Sequence, residues 1–155
     1  MIGGLIEGQI SGDWQSSPEC LQLLFTADRA HHLEKGIIPL LKKGITVICT
    51  RYILSTLAYG NLGVKDEKWL VEINKKFIWP NITFFLKVSP KTCIQRIKKE
   101  RFHKELFEKE EKLRKVYKNY LKFVKKFKNT HIINGEKSIK AVFEEIKKTN
   151  LYEYR

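Results

Sequence analysis

Ile45-Thr46-Val47-Ile48-Cys49-Thr50-Arg51-Tyr52 is the stretch of sequence that decides the fold. Its first part, 45–49, is apolar and rich in β-branched residues, which is typical of a short strand buried on both faces of a parallel sheet. The polar residues that follow stand at the carboxyl end of this strand, where open α/β sheets bind their ligands. Because a guanidinium binds phosphate through paired hydrogen bonds, we expect Arg51 to meet an anionic ligand. The alternative is that Arg51 is a structural ion-pair partner.

Two further segments have a strand-like composition, residues 82–88 and 131–134. Helical patterns separate the three strands, and strands that alternate with helices predict an α/β fold with a mainly parallel sheet. Ser17-Pro18 predicts the start of a long helix, which bends near Pro39 and ends at Gly44. The helices are expected at residues 2–10, 18–43, 54–60, 66–78, 90–100, 107–128 and 138–148.

The length and composition indicate a globular protein. With 155 residues the chain is expected to form one domain, 1–155, with a core of its own. Apolar residues make up 43% and charged residues 30%, which is too apolar a balance for a disordered chain. No apolar run reaches membrane-spanning length and the first residues lack the pattern of a signal peptide, so we expect a cytoplasmic protein without a membrane partner.

The cysteines indicate no disulfide framework and no metal centre. Cys20, Cys49 and Cys93 are odd in number and unrelated in spacing. Cys49 also lies inside the apolar run. We therefore expect buried free thiols and no metal ligands.

The net charge of +13 favours anionic partners, because a positive potential attracts anions over a distance. The excess is concentrated in residues 96–128, where 14 Lys and Arg stand against 5 Asp and Glu. Three interpretations stay open: the solvated face of an amphipathic helix, steering of a phosphate-bearing substrate, and a nucleic-acid surface. The first is favoured, and nucleic acid is not expected as a partner, because apolar residues recur at helical spacing: Leu113, Tyr117, Tyr120, Val124 and Phe127.

Phe25 and Arg29 are candidates for recognising a base. They lie four residues apart and therefore share one face of the predicted helix. An aromatic ring beside a guanidinium can stack on a base while the charged group hydrogen-bonds its edge. The alternative is that Phe25 belongs to the core.

Several short motifs follow one another in a characteristic order: LLFTADRAHH at 23–32, TRY at 50–52 and STLAY at 55–59. Weaker matches continue through PNITFFLKVSP at 80–90 and ING at 133–135. This ordered set covers essentially the whole chain and resembles the thymidylate kinases. The resemblance implies a P-loop-kinase-like α/β fold, with a parallel sheet and flanking helices. It also implies phosphorylation of dTMP to dTDP, with ATP and Mg as cofactors.

The same resemblance implies a role for each candidate residue. Phe25 would stack on thymine and Arg29 would bond its edge. Arg51 would hold the monophosphate as the catalytic arginine, and Ser55 and Tyr59 would line the base and sugar pocket. On the ATP side, the resemblance implies a mobile lid at 96–108 that carries Arg96, Arg101 and Lys104, and it places Asn134 and Gly135 near adenine.

Three features of the sequence depart from that family, and one of them is Leu106 in the expected lid, where members of one type carry an arginine. The sequence contains no G-x-x-x-x-G-K-[ST], the loop whose backbone N–H groups would cradle the ATP phosphates, and Thr50 stands where the family has an acidic residue before the arginine. We therefore expect an architecture truncated at the N-terminus, with the first two strands and the P-loop absent. Two alternatives to a working kinase stay open: a non-catalytic dTMP-binding paralogue and a basic nucleic-acid-binding protein derived from the fold.

An absent P-loop strand has a consequence for folding. By resemblance, that strand would lie between the strands expected at 45–49 and 82–88. Its loss leaves two edges with unpaired N–H and C=O groups. We therefore expect the chain to be unstable alone, to pair these two strands directly, or to be completed by another chain. The resemblance also implies a homodimer through the helix at 18–43.

Overall fold

The structure, a computed structural model, describes residues 2–100 and 110–149. The chain forms two compact units, Met1–Ile78 (unit 1) and Trp79–Arg155 (unit 2). Unit 1 contains the helices α1 (Ile2–Ser11), α2 (Pro18–His32), α3 (Ile38–Lys42), α4 (Ile53–Gly60) and α5 (Glu67–Glu72), with a π-helical turn (Leu33–Ile37) between α2 and α3. Unit 2 contains β1 (Thr83–Lys87), α6 (Pro90–Glu100), α7 (Glu110–Val124), β2 (Thr130–Asn134) and α8 (Ile139–Lys147).

Helix α2 begins as predicted. The Ser17 hydroxyl accepts a hydrogen bond from the backbone N–H of Cys20 at 3.1 Å, and Pro18 occupies the first turn, where its missing N–H costs nothing. A π-helical turn, Leu33–Ile37, lies just before Pro39, where the bend is expected. Proline cannot donate to the helix ladder and its ring clashes with the preceding turn, so a local widening of the helix fits this position. Gly44, with φ of 74°, ends the helical segment.

The core of unit 1 is built around α4. Leu57 and Ala58 are fully buried, and Ile53 is nearly so. Leu70 of α5 is also fully buried. Helix α4 packs against both α2 and α5. The apolar side of this short helix therefore fixes the helices on either side of it.

The strand predicted at 45–49 is wrong. The segment joins no sheet, and Ile48 is 90% exposed. Cys49 is exposed as well, which contradicts the expectation of a buried thiol there. A β-branched apolar run is buried only where neighbouring strands pair with it and other elements cover its faces. The described part of unit 1 supplies no such strand, and the sheet that the structure describes consists of β1 and β2 alone.

The parallel sheet predicted from the other two strands is confirmed. Strands β1 and β2 pair in parallel, from Thr83 opposite Thr130 to Lys87 opposite Asn134. The crossover between them carries α6 and α7, as a parallel connection requires. Phe85 of β1 stacks on Tyr120 of α7, with ring centroids 5.1 Å apart. The structure therefore belongs to the α/β class, with more helix than strand; a single domain over 1–155 stays a prediction.

Helix α7 is amphipathic, as its spacing predicts. Its buried residues are Val116, Phe123 and Val124, so the buried side is centred slightly away from the predicted stripe. On the exposed side, ion pairs join Arg114 to Glu110 at 2.6 Å and Lys115 to Glu111 at 2.8 Å. Such exposed i,i+4 pairs are typical of a solvated helix face.

None of the helices within residues 2–100 and 110–149 combines the length and the apolar character that crossing a membrane requires.

Candidate functional site

The centre of the candidate site is Arg29, whose side chain is buried in unit 1 with only 9% exposure. One terminal nitrogen of its guanidinium donates to Asn74 Oδ1 and the other donates to Thr56 Oγ1. Asn74 is itself completely buried. A buried charge is tolerated only where polar partners replace water, and these two acceptors provide that replacement.

Two aromatic rings flank the same guanidinium. Its central carbon lies 5.3 Å from the ring centroid of Tyr52 and 5.8 Å from that of Phe77. The Tyr52 hydroxyl donates to the carbonyl oxygen of Ile78 at 3.1 Å, which fixes the ring. Burial lowers the pKa of Arg29, and the neighbouring Tyr52 and Asp28 act in the opposite direction. The two described hydrogen bonds use only part of the donor set of a guanidinium, so Arg29 retains the capacity to bind a further acceptor.

Arg51 has a different setting, because its side chain is exposed and its backbone is strained. Its φ of 67° lies in the left-handed region, which is uncommon for any residue other than glycine. Such conformations cost about 1–3 kcal/mol and cluster at functional sites. The central carbon of the Arg51 guanidinium lies 5.3 Å from the Tyr59 ring centroid. Arg51 therefore lies just before the N-terminus of α4, and its guanidinium is close to the Tyr59 ring.

The N-terminus of α4 reinforces the charge of Arg51. Backbone N–H groups at the start of a helix lack partners within the helix, and the helix dipole places partial positive charge there. A phosphate close to Arg51 would meet both sources of positive potential. Thr50, on the other side, is an exposed neutral residue and adds no negative charge.

The structure places the other predicted residues of unit 1 on α2 and α4. Phe25 is half-buried one turn before Arg29. Ser55 and Tyr59 are also half-buried and lie one turn apart on α4. Thr56, next to Ser55, is the residue of α4 that contacts Arg29.

Sequence reasoning missed Thr56, Asn74 and Phe77 as members of this cluster. Thr56 stands within the STLAY motif, so its position next to Ser55 was an available signal. Asn74 lies in a segment predicted as helix over 66–78, whereas α5 ends at Glu72. A polar residue after a shortened helix gives no local sign of what it contacts.

The predicted ATP-side residues of unit 2 lie where β2 ends. Arg96 of α6 donates a hydrogen bond to the carbonyl oxygen of Gly135 at 2.9 Å. A side chain at position 135 would place its Cβ 2.6 Å from a methyl group of Val88, so only glycine fits there. Asn134 is exposed, and its side chain accepts from the backbone N–H of Glu136 at 3.1 Å. Arg101, Lys104 and most of the predicted lid at 96–108 lie outside the described residues.

Glu136 ties two loops of unit 2 together. Its carboxylate accepts from the backbone N–H of Ser89 at 2.9 Å and from the Thr92 hydroxyl at 3.1 Å. These hydrogen bonds from Ser89 and Thr92 lower the pKa of Glu136. The loop after β2 is therefore fastened to the start of α6.

The described part of the chain offers no cluster of side chains that fits a magnesium ion. Within residues 2–100 and 110–149, no three His, Cys, Asp or Glu side chains gather as metal ligands. The residue beside Arg51 is Thr50, which offers a neutral hydroxyl in place of the carboxylate that Mg²⁺ prefers.

Parallel strands joined through helices define an α/β protein. The sequence model of the thymidylate kinase family matches residues 1–146. The probable thymidylate kinase of Pyrococcus abyssi is 40% identical over 130 residues, which is 84% of this chain and 63% of that protein. This chain therefore belongs to the thymidylate kinase family.

Two other relatives are also probable thymidylate kinases. The probable thymidylate kinase of Thermococcus kodakarensis is 38% identical over 146 residues, covering 94% of this chain and 71% of the relative. That of Sulfolobus acidocaldarius is 41% identical over 129 residues, covering 83% of this chain and 64% of the relative. The chain thus spans about two thirds of the length of these curated relatives.

Proposed function

We propose that unit 1 binds dTMP, or a related nucleoside monophosphate, and that this site serves the ATP-dependent phosphorylation of dTMP to dTDP. The observation that carries the proposal is the buried guanidinium of Arg29, which two acceptors and two rings hold in one place. A charged group kept out of water forms stronger hydrogen bonds with a ligand than one in solvent. Membership of the thymidylate kinase family supports thymine as the base.

Each residue of the site has a role in this proposal. Arg29 donates to the polar edge of the base, and the ring of Phe25 stacks on the face of the base. Arg51 binds the phosphate together with the first N–H groups of α4. Ser55 and Tyr59 line the space for base and sugar. The strained backbone of Arg51 fits such a role, because strain is retained where function requires a particular side-chain direction.

The residues of unit 2 are proposed to act on ATP. Arg96 with Arg101 and Lys104 would neutralise phosphate charge, as basic lid residues do in phosphoryl transfer. Asn134 and Gly135 would contact the adenine. The 155 residues contain no P-loop sequence, so turnover requires a phosphate cradle that this sequence does not itself contain.

The second candidate is a dTMP-binding protein without kinase activity. Thr50 favours it, because an exposed hydroxyl in place of a carboxylate cannot organise Mg²⁺ beside the reacting phosphate. Both candidates require the same dTMP site. They differ only in whether dTDP forms in the presence of Mg and ATP.

The test is calorimetric titration of the chain with dTMP, paired with an assay for dTDP formation in the presence of Mg and ATP. Wild type is compared with Arg51→Met and with Arg114→Met, a control that removes an exposed arginine from α7. Charge-assisted hydrogen bonds contribute about 1.5–3 kcal/mol, so Arg51→Met should weaken dTMP binding by about tenfold or more. The control should bind dTMP as wild type does.

The outcomes separate the candidates. Binding with turnover supports the kinase, and binding without turnover supports the non-catalytic protein. Absence of dTMP binding by wild type overturns both. Affinity for DNA that dTMP does not compete with, and that falls steeply with salt, would instead indicate the nucleic-acid-binding alternative. A homodimer or a completing chain stays a prediction, and sedimentation velocity measures it.

A further inference from the structure

The side-chain amide of Asn74 has an unambiguous orientation. The residue is completely buried in the turn after α5. Its Nδ2 donates to the carbonyl oxygen of Leu70 at 2.8 Å, and its Oδ1 accepts from Arg29. A carbonyl oxygen can only accept and a guanidinium can only donate, so exchanging the amide nitrogen and oxygen would break both hydrogen bonds.

This amide rests on a rigid support. Leu70, whose carbonyl it contacts, is fully buried in the core of unit 1. The backbone N–H of Asn74 also donates to the carbonyl oxygen of Val71 at 3.1 Å, which fixes the turn itself. The Oδ1 atom of Asn74 is therefore a fixed point against which a neighbouring donor can be oriented.

Two fixed acceptors determine how the guanidinium of Arg29 lies. Asn74 holds one terminal nitrogen and Thr56 holds the other. The guanidinium is planar, so holding both terminal nitrogens fixes its plane and the direction of its remaining N–H groups. The rings of Tyr52 and Phe77 restrict it further.

We propose that Asn74 is a positioning residue for nucleotide recognition, which orients Arg29 toward the base without contacting the nucleotide itself. This inference rests on the proposed function, in which Arg29 binds the edge of the base. Removing the Asn74 side chain leaves the charge of Arg29 in place but removes the hydrogen bond that orients its guanidinium. The affinity for the base should then fall, whereas the affinity for the phosphate, which depends on Arg51, should not.

The test compares two ligands that share their phosphate and differ in the base, dTMP and 2-deoxyribose 5-phosphate. Asn74→Leu has nearly the same volume as wild type and lacks the acceptor. Losing a hydrogen bond to a charged group should weaken dTMP binding about tenfold or more. The Kd for 2-deoxyribose 5-phosphate should stay within about twofold, because its phosphate contacts remain. Asn61→Leu is the matched control, since the Asn61 side chain donates to Glu67 in the same unit and should leave both Kd values unchanged.

A double-mutant cycle distinguishes positioning from general damage. In an Arg29→Met background, Asn74→Leu should produce no further loss of dTMP affinity. If Asn74→Leu fails to fold by circular dichroism, Asn74→Asp and Thr56→Val decide the question. Asn74→Asp keeps an acceptor facing Arg29 and should retain more of the preference for dTMP than Thr56→Val does.

Two results would overturn the inference. One is an equal loss of affinity for both ligands, which indicates a structural role alone. The other is dTMP binding that depends on Arg29 and is indifferent to Asn74, which leaves the proposed function standing. A wild-type protein that binds no dTMP defeats the proposed function, and the inference falls with it.

Discussion

The backbone conformation of Arg51 predicts that the Arg51→Gly variant is more stable than the Arg51→Ala variant. Arg51 adopts φ of 67°, a conformation that an L-residue with a Cβ atom reaches only at a cost. Arg51→Gly and Arg51→Ala both remove the guanidinium and its contact with Tyr59. The two variants differ only at the Cβ atom, so their difference in stability combines the backbone strain of the folded state with the chain entropy of the unfolded state.

The magnitude follows from two opposing contributions. Relief of the left-handed conformation favours glycine by roughly 1–2 kcal/mol. The greater freedom of glycine in the unfolded chain favours alanine by about 0.4–1 kcal/mol. The centres of these two ranges differ by about 0.8 kcal/mol, so we expect Arg51→Gly to exceed Arg51→Ala by roughly that amount in free energy of unfolding.

The assay is urea denaturation followed by circular dichroism, with Lys68 as the control site. Lys68 is exposed on α5, where the backbone is helical, so Lys68→Ala should exceed Lys68→Gly by about 1 kcal/mol. The order of glycine and alanine should thus reverse between the two sites. Equal stability of the two Arg51 variants, or alanine ahead, would refute the assignment of strain to Arg51. Both Arg51 variants should lose phosphate affinity equally.

Three further predictions concern single positions. The pKa of Glu136 is depressed in the folded state, so its contribution to stability is present above the unfolded pKa and is lost as the pH falls through the folded pKa. Glu136→Gln should therefore be less stable than wild type at pH 7, and this difference in free energy of unfolding should vanish in acid. Denaturation at a series of pH values measures it. A difference that stays constant with pH would contradict the prediction. Gly135→Ala should lower the free energy of unfolding by about 1–3 kcal/mol, because the new Cβ would collide with Val88. Gly4→Ala is the control in the same denaturation assay: there is open space around Gly4, so the substitution should stabilise α1 by about 0.5–1 kcal/mol. Ile48→Ser should change the free energy of unfolding by less than about 0.5 kcal/mol, since the side chain is 90% exposed; a loss of several kcal/mol would show that this residue is buried after all.

Local chemistry was sufficient to predict most elements. The Ser17-Pro18 pair located the start of α2, and Gly44 located the end of the segment that follows it. These signals depend on neighbouring residues only. The strand prediction for residues 45–49 was wrong for the opposite reason. An apolar β-branched composition indicates burial, but burial requires partner strands, which the composition of one segment cannot supply.

The candidate site, too, was predictable from the sequence only in part. The positions of Arg29 and Arg51 on the chain suggested two cationic groups for a nucleotide, and the structure shows one buried and the other exposed with a strained backbone. Asn74 was missed because its contact with Arg29 depends on how helices pack, which no local pattern encodes. The φ of Arg51 was equally hidden, because arginine in this conformation has no sequence signature.

The hydrogen bond between Arg29 and Asn74 joins residues 45 positions apart in sequence, and this separation bears on the order of folding. Closing a long loop costs chain entropy before any contact compensates for it. We expect helices α2 and α4 to form first from local contacts, and the hydrogen bond to Asn74 to form only when α5 docks. Substitutions at Asn74 should therefore accelerate unfolding and leave the refolding rate nearly unchanged, which corresponds to a φ-value near zero. A bound nucleotide that contacts Arg29 would act on the same late step and slow the first opening of the native state.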